Sequence, residues 1–321
     1  MARLRRAIKN WFRLWLETDK LVFMQFLFNI CQTQNLSPMK SPKQSVSQRL
    51  MSIGIVISVV FLLMAILAPF LQAIGVLTNP SEFLSNPIHQ PPSPQHWFGT
   101  DLQGHDVFTR TIAGAGVAWQ VTIASTVISL AIGVPLGMLS GYKGGWLDRG
   151  LVFLMDALYT LPSLLLSLTI AFVVGAGVWN AAIALSVAYI PQYFRVIRNQ
   201  TVSTKTEVYI EAAQAIGADT KTILIKYLAP NVIQSLPVIF TLNAADAILT
   251  LAGLGFLGLG IPEDVPEWGH DLKQALDALS TGENIWWTTV FPGLAITFMA
   301  IGLSLVGEGL TQRFSSKKTE V

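Results

Sequence analysis

Long apolar runs alternate with polar connections along most of this chain. Six runs are long enough to be membrane spans: residues 51–75, 118–141, 151–175, 179–197, 236–260 and 289–308. Each is near the roughly 20 residues that a bilayer core requires. The pattern predicts an all-α, polytopic membrane protein with six transmembrane helices. The fourth run is interrupted by Pro191 and Gln192. In the second, Gly133, Gly137 and Gly141 recur every four residues, a spacing of small side chains that lets helices approach closely in lipid. Ahead of the first run, residues 1–50 form a basic leader. Arg3, Arg5, Arg6, Lys9 and Arg13 alternate there with Leu4, Ile8, Trp11, Phe12, Leu14, Trp15 and Leu16. That is the pattern of an amphipathic helix on an anionic membrane face, or of a poorly ordered basic tail. Residues 21–30 are apolar but too few to span, and Ser37-Pro38 and Ser41-Pro42 mark a flexible link. No signal-peptide cleavage pattern accompanies the first run.

Between the fourth and fifth runs lies a polar island, Glu211-Ala212-Ala213-Gln214-Ala215-Ile216-Gly217, continuing to Tyr227-Leu228-Ala229-Pro230-Asn231. The alanines favour helix, and Gly217 can end that helix in a left-handed backbone. Asp219 or Thr220 can cap a second helix. Ile223, Leu224, Tyr227 and Leu228 recur at helical spacing, and Pro230 is expected to bound it. The island predicts two short helices joined by a tight turn on one side of the membrane. Its small side chains let another protein's backbone come close, and Glu211 can cap or pair beside them.

Composition supports the membrane reading. Of 321 residues, 52% are hydrophobic and 12% charged, against about 25% charged in a soluble domain. The net charge of +2 does not suggest nucleic acid. Its distribution fixes an orientation. With both termini in the cytoplasm, all but Arg110 and Lys273 of the 21 Lys and Arg fall on the inner side, as the positive-inside rule requires. The Glu211 island is then cytoplasmic, and segments 76–117 and 261–288 are extracytoplasmic. The single cysteine, Cys31, excludes an internal disulfide framework. No Cys/His spacing fits zinc, and there is no phosphate-binding loop, nucleophile elbow or zinc-protease motif. A transport component is expected rather than an enzyme: no catalytic residue, no metal and no cofactor on this chain.

Two acidic residues enter the apolar runs. Asp156 lies close to the start of the third, within reach of the cytoplasmic interface or of Arg149 or Lys143. Asp246 lies near the middle of the fifth, one turn after Asn243. A central Asp costs about 2.5–3.5 kcal/mol on insertion scales, so Asp246 is expected to face a pathway or a subunit interface, the alternative being a purely structural hydrogen bond. In the first outer loop, Gly99 and Gly104 bracket a turn bearing Asp101, and Asp106 is placed to cap the helix entering the membrane. In the last outer loop, Pro266-Glu267-Trp268-Gly269 offers Trp268 to a membrane interface. Either loop meets a partner or forms a folded plug.

These residues carry a resemblance. Phe98-Gly99-Thr100-Asp101-x-x-Gly104-x-Asp106, Asp156 with Leu161-Pro162-Ser163, Glu211-Ala212-Ala213-x-x-x-Gly217 with Pro230-Asn231, and Phe256-Leu257-Gly258-Leu259-Gly260 with Trp268-Gly269 stand in register over roughly 50–310. The chain resembles the inner-membrane permease subunits of binding-protein-dependent ABC importers, and within them the second permease of the dipeptide/oligopeptide/nickel branch. The resemblance implies the type I importer permease architecture. It divides the chain into the leader 1–50, a first span 51–75, an extracytoplasmic loop 76–117, a five-helix core 118–310 with a coupling loop 199–235, and a tail 311–321. It implies a sister permease, two ATP-binding subunits that hold ATP and magnesium, an extracytoplasmic solute-binding protein and surrounding lipid. Glu211, Ala212, Ala213, Gly217 and Pro230 would couple to an ATPase, and Asn243, Asp246 and Thr250 would line the path. The expected cargo is a di- or oligopeptide; the alternative is nickel, glutathione or another small solute. A carrier or channel working alone has no need of such a coupling loop. Departures from the family pattern are His105 where arginine is common, Tyr227 and Ala229 before the proline, Thr250 where a glutamate is frequent, Gly255 where a serine is frequent, and the long leader.

Overall fold

The computed structural model describes residues 42–279 and 285–318. The leader helix expected over residues 3–16 and the apolar stretch 21–30 lie outside the described residues. Residues Ser47–Val321 form one compact unit, and of the separate unit Met1–Val46 only the start of a helix is described. Among the described residues there are helices and no strand, apart from one isolated bridge between Thr100 and Asp106.

In chain order the helices are α1 (Pro42–Ala73), α2 (Val107–Lys143), α3 (Gly145–Tyr159), α4 (Ser163–Val174), α5 (Val178–Thr204) and α6 (Val208–Ala215). They continue with α7 (Thr220–Phe256), α8 (Trp268–Leu279) and α9 (Trp287–Lys318). Four are long and apolar enough to cross a membrane: α1 over Gln48–Ala73, α2, α7, and α9 over Trp287–Arg313. A fifth crossing exists if α3 and α4 count as one, but they are bent by 92° at their junction. The straight third span expected over 151–175 is thus broken. Pro162 has φ −54° and ψ 135°, and a proline also pushes its predecessor out of helical geometry.

The expected fourth span is α5, whose 27 residues reach about 40 Å. Pro191 does not interrupt it, contrary to the sequence expectation. It is less apolar than a lipid-exposed span because protein surrounds it: Leu185, Tyr189, Tyr193 and Ile197 have no accessible surface. A proline inside such a helix is tolerated where neighbours re-satisfy the freed carbonyl. The glycines of α2 seat this helix. A Cβ on Gly133 would lie 2.7 Å from Tyr193 Cβ, one on Gly137 2.7 Å from the Phe194 carbonyl, and one on Gly141 2.8 Å from the Arg198 carbonyl. The Ser129 hydroxyl adds an interhelical hydrogen bond to the Ser186 carbonyl at 2.8 Å.

Two boundaries move. The helix expected from residue 118 begins at Val107, because Asp106 occupies its N-cap and accepts from the Thr109 amide at 2.9 Å. The polar connection expected over 199–235 is mostly helical: α5 runs to Thr204 and α7 starts at Thr220. Pro230 does not end a helix. It follows a π-helical stretch, Ile223–Leu228, and the helix continues through Ala229–Val232 and a 3-10 turn at Ile233–Ser235. The wider π turns make room for a ring that has no N–H to give. From the Gly217 turn to the loop before α8, α7 is therefore one continuous rod.

Candidate functional site

Three places hold the residues singled out by the sequence, and α7 joins them. The first is the turn between α5 and α7. Helix α6 ends in a paired cap: the Gly217 amide donates to the Gln214 carbonyl at 3.0 Å and the Ala218 amide to the Ala213 carbonyl at 3.0 Å. Gly217 has φ +85°, the left-handed geometry that glycine alone takes without cost. Asp219 occupies the N-cap of α7. Ile210 and Ala213, three apart, are buried, and Ile210 packs in the cluster that holds Ile223 and Leu228. Asn231 Nδ2 donates to the Tyr209 hydroxyl at 2.8 Å and so ties α6 to α7. The opposite face of α6 is an exposed apolar knob: Ala212, Ala215, Val208 at 78% and Ile216 at 82% exposure. Glu211 lies exposed in the first turn of α6, where a negative charge suits the helix dipole. It does not cap that helix, since Glu207 stands at the N-cap.

The turn is rooted by an ion pair the sequence did not reveal. Arg198 on α5 grips Asp148 on α3 through Nε and Nη2 at 2.5 and 2.7 Å, and the Ser140 hydroxyl donates to the same carboxylate at 2.6 Å. Lys205 reaches the Gly141 carbonyl at 2.9 Å. Asp156 pairs with Arg195 of α5 at 2.8 Å, not with Arg149 or Lys143. Arg195 also lies 4.0 Å above the Tyr159 ring. These partners come from a helix distant in sequence, which is why charge spacing along the chain missed them.

The second place is a polar seam between α5 and α7. Asn243, Asp246 and Thr250 fall at intervals of three and four on α7; Asn243 and Thr250 are buried, Asp246 half-buried. The Tyr189 hydroxyl donates to Asp246 Oδ2 at 2.9 Å and lies 3.2 Å from Thr250 Oγ1. Tyr193, one turn along α5, faces Asn243. The sequence reading found the α7 side and missed the two tyrosines. Their spacing of four residues in a span otherwise built of alanine and aliphatic side chains was the available signal.

The third place is the other end of α7, where the loops before α2 and around α8 form a folded plug. Asp101 accepts from the amides of Gln103 and His105, each at 2.8 Å, and meets His105 Nδ1 at 2.9 Å. Gly99 and Gly104 have φ +73° and +75°. Trp268 is not at a membrane interface. It is 2% exposed, its Nε1 donates to the Thr111 carbonyl at 2.9 Å, and its ring meets Phe61 edge-on. Three groups went unread in the sequence. Glu267 caps α8 through the amides of Gly269 and His270 at 2.9 and 2.8 Å. Arg110, fully buried, donates from Nε to Asp271 Oδ1 at 2.8 Å and from Nη1 to the Pro80 carbonyl at 2.9 Å. Burial pushes the Glu267 carboxyl up to about 8, against the pull of its two amide donors and of Arg110. Burial likewise raises Asp271, opposed by Arg110, and lowers His270. Gly255 is glycine because a Cβ there would fall on Glu267 Oε2. Gly269 in turn packs on the Ala252 backbone, so the plug clamps that end of α7. Among the described residues, no three His, Cys, Asp or Glu side chains converge as a metal site.

A bundle of membrane-crossing helices with an exposed knob at one end, a buried polar seam and a clamped plug at the other end defines a membrane transport component. The chain belongs to the family of binding-protein-dependent transport system inner membrane components, whose model matches residues 133–320. It is 36% identical to the dipeptide transport system permease protein DppC of Alkalihalophilus pseudofirmus, over 86% of this chain and 88% of that one. It is 35% identical to the oligopeptide transport system permease protein OppC of Bacillus subtilis, over 84% and 87%. It is 34% identical to the glutathione transport system permease protein GsiD of Pectobacterium atrosepticum, over 72% and 75%. Among solved structures, an inward-facing MetNI methionine ABC transporter matches 62% of this chain and 93% of that chain at 20% identity, with a TM-score of 0.50, a likeness of fold.

Proposed function

We propose that this chain is the permease subunit of an ABC importer for di- or oligopeptides. The observation that carries the proposal is the continuity of α7. One rod runs from the turn at Gly217, through the Tyr189–Asp246–Thr250 seam, to the Gly255–Glu267 clamp. Movement of the turn is thereby delivered to the seam without a flexible joint, the rigid-element switching that packed helices permit. Two ATP-binding subunits in the cytoplasm supply that movement by closing on ATP, and the α6 knob, Glu211 to Gly217, docks on one of them. Pro230 lets the rod bend there without breaking. A sister permease completes the path, with half-buried Asp246 turned toward it and Asn243 and Thr250 lining the seam behind. A solute-binding protein delivers the cargo to the outer plug, where Gly99, Asp101, Gly104, Asp106 and Trp268 hold the loops in shape. Both termini are cytoplasmic.

The peptide cargo rests on the likeness to DppC and OppC; likeness to GsiD keeps glutathione as the alternative. Co-reconstitution with the sister permease, ATPases and binding protein should give peptide uptake that requires ATP hydrolysis. Uptake by this chain without the ATPases would overturn the reading.

A further inference from the structure

Asp246 is out of character with its helix face. On α7, Leu242, Leu249 and Phe256 are exposed and Asp246 and Gly253 half-exposed. The five fall at intervals of three and four, forming one stripe. An apolar stripe of this kind meets lipid or another subunit, but a carboxylate midway along it has no place in hydrocarbon. The stripe therefore borders water or a partner.

The groups behind it select what the carboxylate meets. Tyr189 occupies Oδ2. Among the described residues nothing donates to Oδ1, and no cationic side chain pairs with Asp246. Asp246 thus offers one free carboxylate oxygen on a half-exposed side chain. A divalent metal is a poor match, because it needs several oxygen or imidazole ligands and no three His, Cys, Asp or Glu side chains converge among the described residues. A protonated primary amine matches, since it brings a positive charge and N–H donors to a carboxylate that has no cationic partner.

We propose that Asp246 is an intramembrane station that recognises a protonated amine, as at the amino terminus of a peptide. The inference rests on the importer reading above, and it assigns this chain a share in selectivity.

Leu249, 52% exposed on the same stripe, supplies the test. The chain's single cysteine, Cys31, is replaced by serine, and Leu249→Cys is introduced in the complete importer. Its modification rate is measured with cationic trimethylammonioethyl and anionic sulfonatoethyl methanethiosulfonates, with and without ATP. The cation-to-anion rate ratio should drop about tenfold on adding Asp246→Asn and recover with Asp246→Glu. Millimolar Ala-Ala should slow labelling, and propionyl-alanine, which lacks the amine, should not. An unchanged ratio, as when a sister-subunit cation already neutralises Asp246, or equal protection by the two compounds overturns the amine station while leaving the importer intact. No reaction with either reagent in either state overturns the pathway placement itself.

Discussion

Gly217 shows how one residue can govern a coupling element. Nothing lies within 4 Å of a Cβ built there, so a larger side chain meets no steric obstacle. The constraint is the backbone alone, at φ +85°, where a non-glycine residue loses about 1–2 kcal/mol and a β-branched one more. Gly217→Val should therefore lower uptake per ATP hydrolysed by about tenfold, while Gly217→Asn, which tolerates this region, should stay near wild type. Transport and ATPase rates measured together on the reconstituted complex decide it; equal losses in both variants would mean that the side chain, not the turn, is at fault. Gly255 is the opposite case: its φ is ordinary, and the space for a side chain is filled by Glu267. The two glycines look alike in the sequence and answer to different physics.

At the scale of elements, α8 was invisible in the hydropathy pattern. It is short, only one face is buried, and it was read as part of a loop. Its cap ties its stability to pH. A carboxyl whose folded pKa lies above its unfolded value loses stability as pH rises between the two, here from 4.5 to about 8 for Glu267. Asp271, also raised, acts in the same sense. His270 is lowered from 6.5, so it adds stability as pH rises toward that value and is silent above it. Above pH 6.5 the fall comes from the raised carboxyls, Glu267 foremost with its value of about 8. Hydrogen exchange over residues 266–279 should therefore quicken beyond its intrinsic pH dependence between pH 6.5 and 8, and Glu267→Gln should shrink the excess. An excess undiminished in the glutamine variant would place the titrating group elsewhere. The α2–α5 contact is the contrasting element. Its Gly133-Gly137-Gly141 ladder was legible because small residues four apart serve close packing in lipid. Which helix they meet was not.

For the whole molecule, the exposed apolar knob on α6 stands in the charge-rich connection between α5 and α7. Val208 and Ile216 project from a helix whose other face, Ile210 and Ala213, is locked into the core. Ile216→Asp should leave membrane insertion intact, since the side chain touches no packed neighbour. It should cut co-purification of the ATP-binding subunits at least about tenfold, because a desolvated unpaired charge costs several kcal/mol at an interface. Pull-down of the tagged complex measures it, and unchanged ATPase recovery would refute docking at this knob.

The sequence by itself determined the helical membrane class, the Gly217 turn and the mid-helix place of Asp246, because hydropathy runs and backbone constraints are local along the chain. Tertiary structure alone decided that Asp148 grips Arg198, that Tyr189 meets Asp246, that Trp268 is buried and that α7 carries through Pro230 as one rod. Each depends on which helices become neighbours, and residues 50 or more apart along the chain leave no periodic trace of meeting.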